Sequence, residues 1–127
     1  MQEKFLFEYA VIRVMPRVER EEFINVGIIL FCAKKKFLQT IFVVDGTKIA
    51  AFSIETDVEE LQANLLAFQQ ISIGAKGSGS IGQYDQPSRF RWLTATRSTV
   101  VQCSKVHPGF SSDPYETMLR LHQELVL

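Results

Sequence analysis

The chain has 127 residues, 46% hydrophobic and 22% charged, which suits one domain with a core that needs no disulfide or metal staple. Lys+Arg 14 cancels Asp+Glu 14, so the basic excess of a protein wrapped by nucleic acid is missing and that role is not favoured. No apolar run is long enough to cross a bilayer, and Met1-Gln2-Glu3-Lys4 leads into an alternating segment rather than a signal-peptide core, so a cytoplasmic protein is expected.

Phe5 to Met15 reads as a strand. Phe5, Phe7, Tyr9 and Val11 take one face, and Leu6, Ala10, Ile12 and Val14 the other. Apolar residues on both faces predict a central strand covered on two sides. Pro16 ends it, and Arg17 to Glu22 forms a charged turn. Ile24 to Cys32 is a second strand, in which Gly27 predicts a bulge or a close backbone approach. Asn25 beside it is polar in an apolar run and needs hydrogen-bond partners. Lys34-Lys35-Lys36 is a solvated turn, Phe37 to Val44 a third strand, and Asp45-Gly46 the turn that closes it. Short connections make these three strands an antiparallel meander.

Thr56-Asp57-Val58-Glu59 reads as a capping box opening a helix, with Val58, Leu61, Leu65, Phe68 and Ile71 as its apolar stripe and Gly74 as its stop. Ala75 to Gln83 is a Gly/Ser loop. Pro87 to Ala95 forms a short helix, Thr99 to Cys103 a fourth strand, and Ser104 to Ser112 a loop. Asp113-Pro114 caps a last helix whose inner face is Tyr115, Met118, Leu119, His122, Leu125 and Val126. The order β-β-β-α-α-β-α predicts a single α+β domain over residues 1–127, an antiparallel sheet of about four strands with helices packed on it. Cys32 and Cys103 fall in apolar runs outside any CxxC pattern and read as thiols of a reducing compartment.

The segment from Gln86 to Ser112 holds no Asp or Glu but contains Arg89, Arg91, Arg97, Lys105, His107 and Trp92. Arginine forks match phosphate or carboxylate, and aromatics offer stacking, so this segment is the candidate for an anionic ligand or partner. Its plainer reading is a solvated face with some aromatics in the core. Gly77-Ser78-Gly79-Ser80-Ile81-Gly82 matches a dinucleotide fingerprint in letters only, because a helix rather than a strand precedes it. Ser98, His107 and Asp113 contain the residue types of a hydrolase triad without a nucleophile-elbow sequence. Glu19, Glu21, Glu22 and Asp45 are the sole carboxylate grouping suited to Mg²⁺, and solvated turn charges explain them better; no metal or cofactor is expected. Glu22 abuts the buried strand at Phe23, where Arg13 or Arg97 would serve as its partner.

Two stretches, Tyr9 to Gly27 and Arg89 to Gln102, with Val106-His107-Pro108-Gly109 and Asp113-Pro114 beyond, resemble a bacterial family catalogued as domain of unknown function 3037. The resemblance spans nearly the whole chain. The family reads Ala-Pro-Arg-Ser-Thr where this chain has Thr96 in place of the Pro, which leaves the turn before Arg97 less constrained. It often has Pro where Lys105 stands, and another residue where Pro108 stands. No established activity comes with the family. Its members are often encoded beside HipA-like Ser/Thr kinases, so the resemblance implies a kinase partner and says nothing of chemistry.

The leading expectation is therefore a small binding or regulatory module. Its surface would combine Arg13, Arg17, Glu22 and Asn25 with Arg97, Ser98, Thr99, Gln102 and His107. The alternative is an enzyme acting on a phosphorylated or nucleotide substrate, with Arg97 on the anion and His107 as acid/base. A third reading is an interaction subunit with an exposed apolar patch, and a homo-oligomer is compatible with each.

Overall fold

The computed structural model describes residues 3–96 and 99–127. Strands β1 (Phe5–Val14), β2 (Ile24–Cys32) and β3 (Phe37–Phe42) form the expected antiparallel meander. On its other side β1 pairs with two short strands in succession. β4 (Val101–Cys103) lies along its C-terminal end and β5 (His107–Ser111) along its N-terminal end. β1 is thus the central strand of a five-stranded antiparallel sheet.

Helices α1 (Gly46–Phe52), α2 (Val58–Ser72) and α3 (Gln86–Thr94) cover one face of the sheet, and α4 (Pro114–Leu125) covers β2 and β3 on the other. Strand alternation sorts the core into two layers. Ala10, Ile12 and Val14 of β1 pack with Leu61, Leu65, Phe68, Phe90 and Leu93 on the three-helix side. Phe7 and Val11 pack with Met118, Leu121 and Val126 on the α4 side. Burial of a side chain such as Leu65 or Phe90, both fully enclosed, contributes about 1.5–3 kcal/mol.

Gly27 meets both of its expectations. The β1–β2 register passes from Ile12↔Gly27 to Arg13↔Asn25, leaving Val26 as the extra residue of a bulge. A Cβ on Gly27 would stand 2.5 Å from the Ile41 carbonyl oxygen and 2.9 Å from Phe42 Cβ. The bulge keeps Ile24 and Val26 in the core and turns Asn25 toward the α4 side, where its Nδ2 donates to Leu125 O at 3.0 Å.

Several local expectations shift. Residues 46–52 form a helix after the Asp-Gly turn, capped by Asp45, whose side chain accepts from Lys48 N. Residues 107–111 are the strand β5 rather than a loop, because pairing with β1 overrides a Pro-Gly composition poor in strand formers. The α2 cap is Asp57, which accepts from Glu60 N, one residue beyond the expected Thr56. Gly74 does end α2, at φ +67°. Asp113 caps α4 with Pro114 in its first turn, as expected. The α4 inner face is rotated slightly, so that Pro114, Thr117 and Leu121 are buried beside Met118 and His122, and Tyr115 and Leu125 are exposed.

Candidate functional site

Residues directly opposite one another on neighbouring strands share a face of the sheet. Arg13 stands opposite Asn25 of β2 on one side and opposite Gln102 of β4 on the other. Two residues back on the same face, Val11 is followed by Tyr9, which stands opposite His107 of β5. Four candidates from remote parts of the chain therefore lie on the α4 side of the sheet: the row Asn25–Arg13–Gln102, with His107 beyond it. α4 packs on β2 and β3, so the β1–β4–β5 half of this face is the more open one.

Arg13 spreads its guanidinium over the exposed Phe23 ring, 4.0 Å from the centroid. Among the described residues it makes no ion pair, and its buried Nε has no hydrogen-bond partner. Asn25 Oδ1 beside it is likewise buried and unpartnered. Gln102 is half-buried and folds along its own strand, donating from Nε2 to Thr99 O at 2.7 Å. His107 is exposed and stacks on Tyr9, with ring centroids 5.4 Å apart.

The other candidates lie elsewhere. Arg17 pairs with Glu19 at 3.0 Å, and Glu22 pairs with Arg20. Both pairs are exposed, and Arg17, Arg20 and Glu22 border a cleft of about 460 Å³ facing Phe52, Ser53 and Ile54. Glu22 is thus satisfied within its own turn by a solvated partner, not by Arg13. Thr99 bonds Val101 O and borders a groove of about 380 Å³ between Phe68 and Ile71 of α2, Trp92 of α3, and β4. Arg97 and Ser98 lie outside the described residues, and with them the expected contact of Arg97 to the Glu19–Glu22 turn.

Much of the cationic segment serves the fold. Arg89 donates to Tyr84 O at 2.5 Å and Ser72 O at 3.4 Å, holding the end of α2, a carbonyl-capping role that spacing does not reveal. Arg91 forms a two-pronged ion pair with Glu8 at 3.2 and 3.4 Å. Phe90 is core, whereas Trp92 and Lys105 are exposed. The Gly/Ser loop follows α2 and is pinned by Ser78 Oγ donating to Ala75 O at 2.6 Å, so no strand feeds it as a dinucleotide site requires. The Asp113 carboxylate accepts from Glu116 N as the α4 cap. Among the described residues no group of three or more His, Cys, Asp or Glu is placed to hold a metal ion. No helix among them is long and apolar enough to cross a membrane. Cys32 is buried and Cys103 half-buried, and no disulfide joins them.

Comparison with known proteins agrees with the two motifs that meet on β1 and β4. The family described as "Protein of unknown function (DUF3037)" matches residues 9–126. This chain belongs to the DUF3037 family. The match covers every strand pair of the site, from Tyr9 on β1 to His107 on β5, and ends within the last turn that Asn25 holds. Neither the curated proteins nor the solved structures contain a significant match to this DUF3037 chain.

Proposed function

We propose that this DUF3037 protein is a cytoplasmic binding or regulatory module, and that Arg13, Asn25, Gln102 and His107 form its working surface for an anionic group on a protein partner. One observation carries the reading: Arg13 is the described arginine of the candidate set that the fold leaves without an anion or carbonyl. Arg17 has Glu19, Arg89 has two carbonyls, and Arg91 has Glu8. Arg89 shares a buried Nε without a partner but has carbonyls on its other nitrogens, whereas the Arg13 guanidinium has neither among the described residues, and a carboxylate or phosphate would meet it with the strongest class of hydrogen bond. Phe23 holds the guanidinium plane in place for such a group.

The HipA-like Ser/Thr kinase implied by the family resemblance is the partner we propose. The test is co-expression with a kinase of that type encoded beside the gene. The reading requires a stable complex, recovered by size-exclusion chromatography, with no phosphoester turnover by this chain alone. Turnover abolished by His107→Ala would favour an enzyme instead.

A further inference from the structure

His122 is buried in α4 among Met118, Leu121 and Val126, which pack on the sheet, and its Nε2 has no hydrogen-bond partner. The strands beneath α4 offer it no charge. β3 has no titratable side chain, and β2 has only the Cys32 thiol. The charged groups at this end of the fold are Arg13, one strand across from Asn25, and Asp45 and Lys48, which share a hollow of about 270 Å³ with Asn25, Val126 and Leu127. On α4 itself Glu124 is taken by Arg120 at 3.5 Å, and Glu116 lies at the other end of the helix. Among the described residues none of these bonds to the imidazole.

A neutral ring fits this apolar seam, and a cationic one without a partner does not. Burial holds the His122 ring below its ordinary 6.5, in keeping with the geometry. The negative end of the α4 dipole attracts a cation, but that attraction is smaller than the cost of an unpaired buried charge.

His122 and Asn25 hold the same turn. Val126 N and Leu127 N donate to His122 O at 2.9 and 3.1 Å, and Asn25 Nδ2 donates to Leu125 O at 3.0 Å. We infer that protonation of His122 is a switch that loosens the last turn of α4 from the sheet and frees Asn25 from Leu125. The switch stands without any partner; only its effect on binding rests on the function proposed above. Acid would release one member of the Asn25–Arg13–Gln102 row and leave the remainder of the sheet in place.

The test is amide hydrogen exchange of residues 119–127 in the intact chain, read by NMR at about pH 7.5 and about pH 5.5 and corrected for intrinsic exchange. Protection there should fall by up to about tenfold in acid while α2 amides keep theirs. His122→Phe and His122→Gln should hold protection at both values, and Gln serves if Phe does not fold. Unchanged protection in the wild type, or the same loss in a folded variant, overturns the inference. So does a His122 ring that titrates at or above the ordinary 6.5. No partner enters this measurement, so its failure is separate from failure of the binding role.

Discussion

Ser104 and Val11 exchange two hydrogen bonds across the break between β4 and β5. Ser104 N donates to Val11 O, and Val11 N donates to Ser104 Oγ, each at 2.8 Å. The hydroxyl stands in for the ladder carbonyl that the chain lacks where it steps from one short strand to the next, and it donates its own hydrogen bond to Lys105 O at 2.9 Å. Ser104 is what lets β4 and β5 share one side of β1, and so what brings Gln102 and His107 onto one surface.

Ser104→Ala should therefore destabilise the fold by about 1–3 kcal/mol, because it leaves the buried Val11 N–H without an acceptor. Ser104→Thr keeps the hydroxyl and should recover part of the loss. Denaturant midpoints measure both; an Ala variant as stable as wild type would contradict the role.

Gly27→Ala should cost about 1–3 kcal/mol, because the new methyl meets the Ile41 carbonyl oxygen and Phe42 Cβ, and backbone rather than a flexible side chain must move. The same unfolding curves test it, with the midpoint falling and the slope unchanged.

Leu65→Ala should cost about 2–5 kcal/mol and Phe68→Ala about 3–5 kcal/mol, since both fill the layer between α2 and the sheet. Midpoints within about half a kcal/mol of wild type would place the α2 stripe on the wrong face.

Those core positions were legible in the sequence, as were β1 to β3, the bulge at Gly27 and the Asp113-Pro114 start of α4, because each rests on local period or local turn chemistry. α1 was not. It is seven residues long and buries only Ile49, too little to show a helical period after an Asp-Gly turn signal. β5 was hidden because His107-Pro108-Gly109 lacks strand formers and is made a strand by β1. A Cβ on Gly109 would stand 2.5 Å from Phe7 Cζ, so a larger residue there must push the buried Phe7 ring aside. The candidate site was legible as residue types and not as geometry. Nothing local pairs residue 13 with residue 102, and nothing local shows that Arg89 and Arg91 are spent on Ser72, Tyr84 and Glu8.

His122 makes stability depend on pH in a definite direction. Its folded value lies below the unfolded 6.5, so the unfolded chain binds the proton first. Stability from this group should be constant above about pH 6.5 and fall as pH drops through the folded value. The Asp85 cap of α3, held below its ordinary 3.8 by hydrogen bonds from Ser88, loses its contribution only at lower pH. Thermal melts across this range should show the decline in wild type and a flatter profile in His122→Gln. Parallel profiles would show that another group is responsible.

The most direct test of the account is calorimetric titration of the HipA-like kinase into wild type, Arg13→Ala and Arg13→Lys, with thermal melts alongside. A charge-assisted Arg contact is worth about 1.5–3 kcal/mol, so Arg13→Ala should bind roughly ten- to a hundred-fold more weakly while melting close to wild type. Arg13→Lys should recover only part, because it keeps the charge and loses the fork held over Phe23. Arg13→Ala that melts and binds like wild type would contradict the claim that this sheet face is the working surface.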